Sequence, residues 1–183
     1  VKLCFPKSQI LDYSEMYPNY VGERDKKLTE DLTQKIFLSY KSKGYLTQDE
    51  FLTVCSWKTQ RSKRLCESND EILIREISTI ARKVETEQLR IQIWTILSGV
   101  GFPTASVFLH FTFNPFDLNS VERGYPILDR RALWSLQTDV PGFYTFKFWW
   151  DYVNFCRKLA KDAKVSMRDL DKALWTYSKV NQK

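Results

Sequence analysis

Residues 97–111 read LSGVGFPTASVFLHF, and no other stretch constrains the fold as strongly. Leu89, Ile93, Ile96 and Leu97 mark a helix that begins near Thr86 and stops at Gly99, where a residue without a Cβ lets the backbone leave the helix. Pro103 suits the first turn of the next helix, because its φ is already fixed near the helical value and its missing N–H has no intrahelical partner there. Thr104 to Phe111 continue that helix. Gly99 and Gly101 flank the apolar Val100 and allow a tight hairpin whose backbone can approach a phosphate closely. The N–H groups opening the second helix add donors and the favourable end of the helix dipole, so an anion site is physically cheap here.

The rest of the chain also reads as helix. Thr47 and Glu50 have capping-box spacing ahead of Phe51, Leu52, Val54 and Cys55, which predicts a helix from about Thr47 to Lys58. Ser68 or Asn69 can cap a second one whose stripe of Ile72, Ile77, Ile80, Ala81 and Val84 ends near Val84. Asp129 can cap a short helix through Leu136, Tyr144 to Ala163 forms a long aromatic-faced one, and Ser166 with Asp169 starts the last, ending near Ser178. Leu28, Leu32, Ile36 and Phe37 suggest one more, but Pro6, Pro18 and Gly22 interrupt what precedes it, so residues 1–24 read as irregular cover. Period-2 alternation is absent, with FLHFTF the nearest strand candidate, and the fold class is all-α.

Composition removes several chemistries. With the single histidine His110, the chain cannot build a His-rich zinc site or a paired-His metal site. Cys4, Cys55, Cys66 and Cys156 contain no C-x-x-C, which leaves reduced, packed thiols as the simpler reading. No run approaches the roughly 20 apolar residues of a membrane span, and VKLCFPKSQ lacks an apolar signal core, so a cytoplasmic protein is the expectation. The 28 Lys and Arg against 22 Asp and Glu leave a net charge of +6, compatible with a polyanionic partner without requiring one. Two runs concentrate it: Lys58, Arg61, Lys63 and Arg64 in WKTQRSKRLC, and Arg157, Lys158, Lys161 and Lys164 beside Asp162. Each is either a solvated face or a phosphate contact.

The hairpin resembles that of the helix-hairpin-helix DNA glycosylases of base-excision repair, which reads Leu-x-Gly-Val-Gly, a variable pair, then Thr-Ala. Leu97, Gly99, Val100, Gly101, Thr104 and Ala105 match as they stand. The resemblance implies a two-lobed helical fold, with a contiguous lobe at 47–136 carrying the hairpin at 97–106 and a second lobe of 25–46 plus 140–183. It also implies DNA as partner, gripped at the phosphate backbone by Gly99, Val100, Gly101 and Thr104, with a monovalent cation on hairpin carbonyls at Gly99 and Gly101. No other cofactor is implied. EFLTVCSWKTQR and VSMRDLDKALWTYSK resemble segments of uncharacterised bacterial proteins bearing this hairpin, and Lys58 and Arg61 in the first could track a phosphate.

YPILDRRALWSL, residues 125–136, is similar to the family's apolar–Asp–x–x–x–Arg region, which aligns Asp129 with the catalytic aspartate; Arg130 and Arg131 are either helpers on the DNA backbone near the cleft or, at a helix start, partners of neighbouring acids. Asp129 is equally explained as a helix N-cap. The family's bifunctional members carry a lysine where this chain has Pro103, which excludes a Schiff-base lyase step through that position. The interval from Gly101 to Asp129 is lengthened by PFDLNSVERG. A monofunctional glycosylase needs only water, a carboxylate and a stacking pocket. Trp149, Trp150 or Tyr152 could line such a pocket, or they form the core. Three readings stay open: a DNA-binding protein of this fold, an active monofunctional glycosylase using Asp129, and an interaction or regulatory protein that reuses the fold without nucleic acid.

Overall fold

The computed structural model describes residues 1–113, 116–117 and 124–182. Regular structure among them is helical throughout: α1 (Ile10–Met16), α2 (Glu23–Glu30), α3 (Phe37–Lys43), α4 (Gln48–Lys58), α5 (Lys63–Glu67), α6 (Glu71–Lys83), α7 (Glu87–Gln92), α8 (Phe102–Thr112), α9 (Arg130–Ser135), α10 (Phe146–Ala163) and α11 (Met167–Asn181). The all-α expectation holds, and most of FLHFTF lies inside α8 rather than in a strand. No helix among the described residues is long and apolar enough to cross a membrane. The chain divides into two compact units, one of residues Glu23–Thr112 and one joining Val1–Gly22 to Phe113–Lys183.

In the contiguous unit, α8 is the centre. Thr104 to Phe111 are all buried, as expected of a helix apolar on every side. The Phe108 ring lies stacked against Trp94 at 4.3 Å and Phe51 at 5.4 Å with nearly parallel planes. α2 and α3 form one continuous rod through a π-helical turn at Asp31–Ile36, and α3 and that turn pack on α8. α4 has the predicted capping box, with the Glu50 carboxylate accepting from Thr47 N–H at 2.8 Å. The cap of α6 is one residue beyond the expected pair: Asp70 accepts from the N–H groups of Ile72 and Leu73 at 2.8 and 3.3 Å. Asn69 is only 6% exposed and is engaged elsewhere. Between α4 and α6 the basic run folds into α5, which the sequence pattern did not suggest.

In the other unit, α1 and α9 both pack on α11, and α10 joins them. Residues 1–22 are therefore a docked helical segment rather than irregular cover. Pro6 immediately precedes the 3-10 turn Lys7–Gln9, and Pro18 opens the turn Tyr17–Asn19, positions where a missing N–H costs nothing. Backbone N–H groups of Lys2 and Cys4 donate to the carbonyls of Leu136 and Ser135 at the end of α9. Thr145 and Ser166 cap α10 and α11. Trp149 and Tyr152 are core residues, the Tyr152 hydroxyl donating to the Ile127 carbonyl at 2.8 Å, while Trp150 is half-buried against Phe146.

The unit boundaries differ from the expected 47–136 lobe at both ends. The α2–α3 rod belongs with α8, against which it packs, and the chain from Phe113 onward belongs with α11, which α9 covers. The inserted stretch PFDLNSVERG lies largely outside the described residues. All four cysteines are free thiols, three of them buried.

Candidate nucleic-acid interface

The turn at 97–101 is built from its neighbours inward. After α7 the chain tightens into a 3-10 turn, Ile93–Ile96, leaves it at the extended Leu97, and reverses through Gly99 at φ +80°. Val100 N–H donates back to the Leu97 carbonyl at 3.1 Å, and the Val100 side chain is buried. Asn69 holds the turn from outside: its Nδ2 donates to the Ser98 carbonyl at 3.0 Å and its Oδ1 accepts from Ser98 N–H at 2.7 Å. The same Nδ2 reaches the carbonyls of Leu65 and Cys66, so one side chain ties the C-terminal end of α5 to the turn.

The two glycines do different work. A Cβ on Gly99 would stand 2.9 Å from Cys66 Sγ, 3.0 Å from Leu65 Cβ and 3.1 Å from Cys66 N, so this position needs glycine both for its positive φ and for the approach of α5. Gly101 has no such constraint. It is exposed, a Cβ there would meet only Pro103 Cδ at 3.8 Å, and its carbonyl accepts from Ala105 N–H as α8 begins. The surface in front of Gly101 is thus open backbone at a helix N-terminus whose first turn holds no acidic residue. Thr104 is 5% exposed, so it presents little of its own surface to a partner.

Because α5 leans on Gly99 through Leu65 and Cys66, the basic run borders the turn. Arg61, Lys63 and Arg64 are exposed, and Lys63 makes a long 3.6 Å ion pair with Glu67. Lys58, at the end of α4, is half-buried. The structure therefore brings together, within one unit, Gly99, Val100, Gly101 and Thr104 with the segment carrying Lys58 and Arg61. Asn69, Lys63 and Arg64 complete this face. Asn69 was legible only as one of two cap candidates, since nothing local marks a side chain that bonds 29 residues away.

Asp129, Arg130 and Arg131 belong to the other unit. Asp129 is the N-cap of α9, its Oδ1 accepting from Arg131 N–H at 2.9 Å, and it is half-buried. Its charge reaches two tyrosines. Burial raises the Tyr152 phenol well above its ordinary value, and negative neighbours including Asp129 add to this. Tyr144 is raised by burial, an effect that Arg130 opposes and Asp129 reinforces. Arg130 is exposed, whereas the Arg131 guanidinium lies 5.7 Å from the centre of the Trp175 ring.

No family model, no curated protein and no solved structure matches this chain.

Proposed function

We propose that this chain is a DNA-binding protein of the two-lobed, helix-hairpin-helix glycosylase-like fold, gripping the phosphate backbone through the turn at 97–101. The observation that carries the reading is the pairing of an open Gly101 at the start of α8 with the basic α5 segment, held together by the close approach of Cys66 to Gly99. Backbone N–H groups at the α8 N-terminus then contact a phosphate oxygen directly, while Arg61, Lys63 and Arg64 neutralise neighbouring phosphates. Such contacts position a protein on DNA without reading its sequence.

A monovalent cation fits the turn in part. The carbonyls of Ser98 and Gly101 already accept hydrogen bonds from Asn69 and Ala105, so a cation would use those of Gly99 and Val100, which receive none among the described residues. Its role would be to add positive charge beside the phosphate.

A second reading, a monofunctional glycosylase, rests on Asp129, a half-buried carboxylate beside Tyr144 and Arg130. It adds base release to DNA binding.

The deciding experiment is binding to duplex and single-stranded DNA across a salt series, comparing wild type with Gly101→Glu. Salt-sensitive binding that the glutamate abolishes is the expected result. Indifference of the wild type to DNA at low salt overturns the reading and leaves a protein-interaction scaffold.

A further inference from the structure

The unit formed by Val1–Gly22 and Phe113–Lys183 carries 14 Lys and Arg against 10 Asp and Glu, most of the chain's positive surplus. One face of α11 gathers part of it. Arg168, Lys172 and Trp175 follow one another at helical spacing, and Tyr17 packs edge-on against Trp175 with ring centres 5.2 Å apart. Lys172 Nζ lies 6.0 Å and Arg168 Cζ 5.4 Å from the Tyr17 ring centre, and Arg131 reaches the Trp175 ring from α9. Arg168 and Lys172 thus lie by the Tyr17 ring and Arg131 by the Trp175 ring packed on it.

The nearby carboxylates are already engaged. Asp171 pairs with the buried Arg168 at 2.8 Å, and the two oxygens of Asp169 accept from the Ser14 and Ser166 hydroxyls. No ion pair reaches Lys172 or Arg131 among the described residues. Lys172 pays for this arrangement: burial pulls its ammonium below the ordinary lysine value, and the charge of Arg168 pulls it further, against partial support from Asp169 and Asp171. A half-buried cation in this state is stabilised by an incoming anion.

We propose that Arg131 and Lys172, set on the Tyr17–Trp175 ring pair, form a phosphate-binding site. The fork of an arginine and the point charge of a lysine suit a tetrahedral, multiply charged oxyanion. The ring faces attract both cations electrostatically, which favours their placement here. The phosphate comes either from a nucleic-acid backbone or from a free phosphate ester. The site is independent of the turn at 97–101 and stands whether or not that turn grips DNA.

The test is an NMR titration that follows the Trp175 indole N–H, assigned by Trp175→Phe, with inorganic phosphate, a 5′-mononucleotide and a short duplex as three separate probes. Saturable shifts with phosphate or mononucleotide, absent with sodium chloride at matched ionic strength, are expected. Arg131→Gln and Lys172→Gln should each weaken binding about tenfold, the loss of roughly one charged contact, and Lys172→Arg should restore most of it. A duplex that moves the Trp175 signal, in the Gly101→Glu background as well, assigns the site to backbone phosphate. A signal that only the small probes move assigns it to free esters. Equal shifts with chloride, no shift with any probe, or unchanged affinity in both folded glutamine variants overturns the proposal.

Discussion

The side chain of Asn69 pairs with the backbone of Ser98 as a neighbouring strand would, donating to its carbonyl at 3.0 Å and accepting from its N–H at 2.7 Å. Asn69 is buried, so removing it breaks both bonds to the Ser98 backbone and loses those to Leu65 and Cys66. Asn69→Ala should cost about 2–3 kcal/mol, read by urea denaturation. Asn69→Asp keeps only the acceptor and should be comparably destabilised. A cost near zero for both variants would remove Asn69 from the scaffold of the turn.

Gly99 and Gly101 should respond oppositely to alanine. At Gly99 a methyl group meets Cys66 at 2.9 Å from its sulfur and 3.1 Å from its backbone nitrogen, in a left-handed conformation that alone costs about 1–2 kcal/mol. Gly99→Ala should lower the melting temperature by several degrees, whereas Gly101→Ala should leave stability within about 0.5 kcal/mol. The same Gly101→Ala should weaken DNA binding, because the methyl group stands where a phosphate would approach. Thermal denaturation and a binding isotherm on each variant separate structure from contact.

The sequence made the all-α class legible because its caps are local. Thr47 with Glu50, Asp129, and Ser166 with Asp169 each sit within three residues of the groups they satisfy, and each caps the helix expected of it. What stayed hidden depends on distance along the chain. α1 has a short, weakly patterned segment that holds its helix by packing on α11, and α5 is a five-residue helix secured through Cys66 and the Asn69 bonds. The glycine pattern marked the turn, but the reason Gly99 is glycine lies on α5, more than thirty residues earlier.

Acidification should expose the capping box. Burial by itself raises the Glu50 carboxyl, but hydrogen bonds from Ser39, from Thr47 N–H and from the Lys43 ammonium, with that ammonium's charge, bring it below the ordinary glutamate value. A carboxyl depressed in the folded state stabilises fully above its unfolded pKa of about 4.3 and loses that contribution as pH falls through the folded value. Glu50→Gln should therefore be less stable than wild type at pH 7, and the gap should narrow below about pH 4. Denaturation midpoints at pH 7 and pH 3 provide the comparison, and a gap that widens in acid would contradict the assignment.

Asp129 separates its two roles by substitution. Asparagine caps helices as well as aspartate does, so Asp129→Asn should fold with near wild-type stability, while Asp129→Ala should lose about 1 kcal/mol with the bond to Arg131 N–H. If the chain releases damaged bases, Asp129→Asn should abolish release without changing DNA affinity, since only the ionised carboxylate can stabilise a cationic transition state. Full base release by the folded Asp129→Asn protein would leave the residue as a cap alone.

The basic segment should be visible in the salt dependence of binding. Each phosphate neutralised by a cation releases condensed counterion, so the slope of log affinity against log salt counts the contacts. Arg61 and Arg64 are exposed beside the turn and make no ion pair among the described residues, so replacing either with glutamine costs the fold little. Arg61→Gln and Arg64→Gln should each reduce the slope by about 1, and the double variant by about 2, with equal effect on every duplex sequence. Lys63→Gln should do less, because Glu67 already draws on that ammonium at 3.6 Å. Slopes that stay at the wild-type value in the double variant would move the interface away from α5, and with it the role assigned to the contact between Cys66 and Gly99.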